Sequence, residues 1–117
     1  MSQLRKEGGR VKLEVNPFRL GTDKEAALKP LEEAAEVFGA WQRLYDAQTE
    51  YGYVGVDGDY SNEFEAFFVY DFERRSLAYE IADCVTALCN LAARFGLDVQ
   101  EAVVEVERRN RERGRYD

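Results

Sequence analysis

The 117-residue sequence contains no histidine. That excludes imidazole acid–base catalysis and imidazole metal ligation, so any bound cation has to be held by oxygen, which favours magnesium or manganese over zinc. Cysteine is scarce. Cys84 and Cys89 fall in one predicted helix at a spacing that cannot close a disulfide, and they read as small buried hydrophobes in a reducing compartment. No apolar run approaches the roughly 18 residues that a membrane span requires. The N-terminus also lacks the apolar segment of a signal peptide, so a cytoplasmic protein is expected. Positive charge is in deficit, with 16 Lys and Arg against 23 Asp and Glu for a net charge of -7. Such a surface repels polyanions, so neither nucleic acid nor membrane is an expected partner. Phosphate-bearing small molecules remain compatible where a metal or a local basic cluster reverses the sign.

What is present suits one folded domain over residues 1–117: 45% apolar and 33% charged residues, with length for a modest core. Residues 1–10 are polar and are expected to be mobile. Residues 11–15 alternate with period two, a short strand candidate that ends before Pro17. Thr22 followed by Glu25 reads as a capping box opening a helix, which Pro30 either kinks or breaks with a new start near Leu31. From there to about Ala47, the residues Leu31, Ala34, Ala35, Phe38, Trp41, Leu44 and Tyr45 keep helical spacing, with Trp41 on the packed face.

Between residues 50 and 72 the character changes. Gly52, Gly55 and Gly58 interrupt an aromatic-rich segment, and Asp57-Gly58 is a turn signal for a small hairpin. Phe64, Ala66, Phe68 and Tyr70 alternate as a strand would, yet the same residues suit the start of a helix. Asp57, Asp59 and Ser61 do not make a calcium loop, because Asn62 and Phe68 stand where glycine and glutamate are required. The clearest helix runs over 77–95, opened near Ser76 and closed by Gly96. Asp98 caps a last helix bearing Ala102, Val103 and Val106, whose stripe Asn110 continues inward. The fold class expected is therefore mainly α, a helical bundle with a small β-hairpin or short-strand insert at about 50–72.

Two acidic motifs lie inside the most helical stretches: Glu32-Glu33-Ala34-Ala35-Glu36 and Glu80-Ile81-Ala82-Asp83. Glu33 and Glu36, and again Glu80 and Asp83, stand three apart and share a helix face. Large apolar neighbours at Leu77, Ile81 and Val85 hem in the second pair. Brought together, the two faces would concentrate like charges in a partly apolar setting, which is costly without a cation between them. A solvated helix surface balanced by Lys29, Arg43 or Arg74 is the plainer alternative. At the C-terminus, Arg108, Arg109, Arg111, Arg113 and Arg115 either offset a helix dipole or, through Arg109 and Arg113 one turn apart, grip phosphates beside a metal.

Paired in this order, Glu-Glu-x-x-Glu at 32–36 and Glu-x-x-Asp at 80–83 resemble the all-α nucleoside triphosphate pyrophosphohydrolases of the MazG type, relatives of phosphoribosyl-ATP pyrophosphohydrolase and the dimeric dUTPases. The string Arg109-Asn110-Arg111-Glu112-Arg113-Gly114-Arg115-Tyr116 looks like the small MazG-like proteins of phages and prophages. The resemblance covers about residues 24–48 and 75–116. It implies a MazG-like helical bundle in which Glu33, Glu36, Glu80 and Asp83 bind Mg2+, or Mn2+, while Glu32 orients or activates water. It also implies a bacterial cell or a phage-infected bacterium as the setting, and a homodimer or homotetramer with sites near subunit interfaces. The reaction implied is hydrolysis of an NTP or dNTP to the monophosphate and pyrophosphate, with Lys29, Asn90, Arg109, Asn110 and Arg113 as candidate substrate contacts. The long interval between Glu36 and Glu80 departs from compact members and puts specificity in question. Two other functions fit the same residues: a nucleotide-binding protein without efficient turnover, and a helical oligomeric interaction or regulatory protein whose acids are structural.

Overall fold

The computed structural model describes residues 10–51 and 63–117, which form three α-helices: α1, Asp23–Tyr51; α2, Glu63–Arg94; and α3, Val99–Glu112. No β-strand occurs among the described residues. Residues 11–15 run without regular structure, since their alternation finds no second strand to pair with. Nor is any helix among them long and apolar enough to cross a membrane. The hairpin expected around Asp57-Gly58 lies outside the described residues, as does the expected mobility of residues 1–9.

The capping box forms as its spacing dictates. The Glu25 N–H donates to Thr22 Oγ1 at 3.1 Å and the Thr22 N–H donates to Glu25 Oε1 at 2.7 Å, so both orphan donors of the first turn are satisfied. Gly21 makes room for that returning carboxylate, because a Cβ there would collide with Glu25 Oε1. Helix α1 then runs through Pro30 without a new start.

Helix α2 begins well before the expected opening at Ser76, and the helical reading of the aromatic segment prevails from Glu63 onward. The alternation of aromatics there is overridden by helical pairing and by packing on α1. Asp71 accepts from Arg75 at 2.8 Å one turn on, the Arg74 guanidinium lies 5.8 Å from the Tyr70 ring centre, and Arg43 of α1 reaches Glu73 at 3.7 Å. The helix ends where Leu97 N–H bonds back to Ala92 O at 2.9 Å, with Gly96 in the left-handed region at φ 63°. Asp98 caps α3 by accepting from Glu101 N–H at 2.9 Å.

Helices α1 and α2 pack antiparallel along most of their length, and α3 extends from the turn without comparable packing. The seam between the long helices is built from small residues. Ala26, Ala40 and Ala47 recur at seven-residue intervals with Glu33 between the first two, and Ala87 and Ala92 answer them from α2. Trp41 therefore does not lie on the packed face. It is 44% exposed and forms an outward ladder, stacked on Phe38 and Tyr45 with ring centres 5.6 and 5.4 Å away.

Candidate metal centre

An alanine seam lets two helix backbones approach closely, and whatever longer side chains share it are trapped between them. On α1 the trapped residue is Glu33, in register with the alanines and 7% exposed. On α2 the register of Ala87 runs back through Glu80 and Glu73, at the same seven-residue interval. The acids of the two motifs thus face each other because the small residues around them do.

The result is a carboxylate cluster. One oxygen from each of Glu33, Glu36 and Glu80 lies within 4.8 Å of the other two. Glu80 Oε1 is shielded from solvent and has no hydrogen-bond donor. Burial is the main cause that pushes the Glu80 carboxyl above the usual carboxylate range; the adjacent Glu36, which can share a proton with it, adds to this, followed by the charges of Asp83 and Glu33. A shared proton or a cation would relieve carboxylates held at this distance. All three donors are hard oxygens, so the set could hold a divalent cation.

Asp83 stands one turn beyond Glu80 and is exposed; it is not one of the three converging groups, but its charge is felt at Glu80. Lys29 supplies partial compensation, with Nζ 3.3 Å from Glu33 and 3.6 Å from Glu32. The bond to Glu33 is the main reason its ammonium pKa is raised. Glu32 itself is exposed on the rim.

The remaining candidate contacts fall into two places. Asn90 is buried and accepts from the Phe18 N–H through Oδ1 at 2.7 Å, pinning the N-terminal segment across the end of the long helices. Arg108 and Arg109 pair within α3, and Arg111 stacks over the Tyr116 ring beyond its end, 5.5 Å from the ring centre. Arg108 donates to Glu105 at 2.6 Å and also to Glu112, holding the Glu105 carboxyl below its usual range, and Arg109 lies 3.6 Å from Glu105. Arg113 is exposed at the C-cap. Asn110 is half-buried, and its carbonyl accepts from Arg115 N–H at 3.0 Å. The Ala102, Val103 and Val106 stripe faces outward rather than into a core, since no residue of α3 is buried.

Two participants were not singled out by their sequence context. Glu73 is trapped in the same seam, its Oε1 shielded and beyond hydrogen-bond reach of Arg43. Arg94 latches the N-terminal segment by donating to Leu20 O at 2.8 Å, to Gly21 O at 3.1 Å and to the Asp23 carboxylate. The seven-residue spacing of Glu73, Glu80, Ala87 and Arg94 is the signal that marks the seam. Comparison with family models, with curated proteins and with solved structures found no match to this chain.

Proposed function

We propose that this chain is a magnesium-dependent nucleoside triphosphate pyrophosphohydrolase of the MazG-like type, acting on an NTP or dNTP. The observation that carries the reading is the convergence of Glu33, Glu36 and Glu80 from two helices around an oxygen that has no donor. Glu33, Glu36 and Glu80 would hold the cation, with Asp83, exposed one turn on, as a fourth carboxylate beside it. A divalent ion there supplies neutralisation of phosphate oxygens and acidification of a bound water.

The other residues do what their positions allow. Glu32, on the rim, accepts a hydrogen bond from the attacking water and orients it. Oxygen of that water adds to the α-phosphorus, the bond to the bridging oxygen breaks, and pyrophosphate leaves while the proton passes through carboxylate to solvent. Lys29, beside Glu33 and Glu32 at the edge of the cluster, would meet a phosphate oxygen.

The chain works as a homodimer or homotetramer. The buried apolar residues among those described are all alanines, whereas Phe38, Trp41, Tyr45 and Ile81 are exposed. A domain of this length ordinarily buries larger side chains, and a second copy would cover them. The same association brings Arg109 and Arg113 of one α3 toward the carboxylates of another, where they offset charge on the leaving group.

The test is pyrophosphate release from a panel of NTPs and dNTPs, with and without Mg2+. Wild type is expected to release pyrophosphate only with the metal, and Glu36→Gln or Asp83→Asn to lose at least about 100-fold of that rate while keeping helical circular dichroism. Undiminished release by both variants would overturn the reading.

A further inference from the structure

Two repeats of seven residues run along α1. One is the alanine seam against α2. The other is Ala27, Leu31, Ala34, Phe38, Trp41 and Tyr45, whose alternate spacings of four and three are those of a coiled-coil face. Trp41 follows Ala40 of the seam by one residue, which sets this second stripe roughly 100° round the helix from the seam. Among the described residues its large members stay open to solvent, Leu31 at 68% exposure and Phe38 at 57%.

No charge interrupts the stripe. The charged residues between Ala27 and Thr49 are Lys29, Glu32, Glu33, Glu36, Arg43 and Asp46, and all of them fall at other positions of the repeat. Two chains of net charge -7 repel each other over most of their surface, and they approach at least cost through a face that carries none of that charge. A second copy is therefore an occupant that this face admits and the rest of the surface opposes.

Residue sizes fix the direction of approach. The N-terminal half of the stripe is small or aliphatic, with Ala27, Leu31 and Ala34, and the C-terminal half is aromatic. In a parallel pair each residue meets its own copy, which sets ring against ring in the aromatic half and leaves the alanine layers underfilled. With one helix reversed, Ala27 meets Tyr45 of the partner subunit, Leu31 meets Trp41 of the partner subunit, and Ala34 meets Phe38 of the partner subunit. Every layer then combines one aromatic ring with one smaller residue, the alternation that fills a core to native density.

We propose that α1 pairs antiparallel with α1 of a second copy through this stripe, about a two-fold axis level with residue 36. Glu33 and Glu36 lie off the stripe, so the pairing does not engage them. The pairing deepens the assembly reading given above and does not depend on turnover. Sedimentation of the purified full chain at micromolar concentration is expected to show a dimer or tetramer. Ala34→Phe crowds the layer that already holds the partner's Phe38 and should weaken association at least about tenfold, while adding Phe38→Ala to it should restore association to within about threefold. Both positions are exposed in the single chain, so helical circular dichroism should not change. For the direction, a short bismaleimide should join two copies through Ala35→Cys, beside the axis, and not through Gln42→Cys, where the sulfurs stand roughly 20 Å apart along the helices. Wild type, whose Cys84 and Cys89 are half-buried, is the control. A monomeric wild type would overturn both the pairing and the assembly reading. An oligomer indifferent to Ala34→Phe, or cross-linked as readily at residue 42 as at residue 35, would overturn the pairing alone. A chain that pairs as expected yet releases no pyrophosphate would uphold the pairing and refute only the hydrolase reading.

Discussion

Glu80 concentrates the tension at this centre. Its carboxyl is raised by burial first and by Glu36 next, so the folded chain binds its proton more tightly than the unfolded chain does. The sign follows from linkage. Where the native state holds more protons, stability falls as pH rises, from the ordinary glutamate value of 4.5 through the raised native one. Without metal, Glu80→Gln is therefore expected to melt a few degrees above wild type at neutral pH, with the gap closing as pH drops below about 4.5. Thermal melts across pH in a chelator would check this, and a variant less stable than wild type at pH 7 would contradict it. Proton and cation compete for the same oxygen, so Mg2+ affinity should weaken on acidification in wild type. Lys29 is the second lever. Replacing it by Met removes the cation beside Glu33 and is expected to lower metal-free stability while raising Mg2+ affinity. Equal affinity in both proteins would show that the ammonium does not occupy the metal's place.

Helix α1 shows how much of an element its residues announce. Its capping box, its acidic motif and its run to the end of the aromatic ladder all follow from spacing. Thr22→Ala removes the acceptor for Glu25 N–H and should cost about 1 kcal/mol in urea denaturation. What the pattern of large apolar residues misplaced was the seam. Periodicity in Phe38, Trp41 and Tyr45 marks a face that needs covering, but it cannot say which surface covers it. The α1–α2 contact instead uses Ala26, Ala40 and Ala47, whose small volume gives weak signal in any apolar pattern. Helix α2 was legible from Leu77 on and open between strand and helix before it, because aromatics at alternate positions imitate a strand until Arg75–Asp71 and Arg43–Glu73 are seen to pair. Ala40, fully buried, is the sharpest probe of the seam. Ala40→Leu overpacks it, with an expected loss of roughly 1–3 kcal/mol and a weaker Mg2+ site as Glu33 and Glu80 are driven apart. Unchanged metal affinity in a destabilised variant would uncouple the seam from the centre.

At the scale of the whole molecule the described chain is extended for its size, with a radius of gyration of 17.9 Å where a compact domain of this length has about 13 Å. Among the described residues, an alanine core, an outward aromatic ladder and an α3 with no buried residue leave much apolar surface uncovered by the chain itself, which is the surface the proposed assembly would cover. Trp41→Glu is accordingly expected to shift sedimentation at micromolar concentration from dimer or tetramer toward monomer, whereas a wild-type chain already monomeric there would contradict the assembly. The acidic motifs were legible as a charge conflict, and their partnership across two helices depended on a fold that places Glu80 opposite Glu33 and Glu36. That juxtaposition is open to direct measurement by calorimetric titration of the metal-free protein with Mg2+. Saturable binding in wild type, lost in both Glu36→Gln and Glu80→Gln while their helical content is retained, is the expected result. Absence of binding in wild type, or equal binding in all three proteins, would show that the seam carboxylates are structural and that no metal acts there.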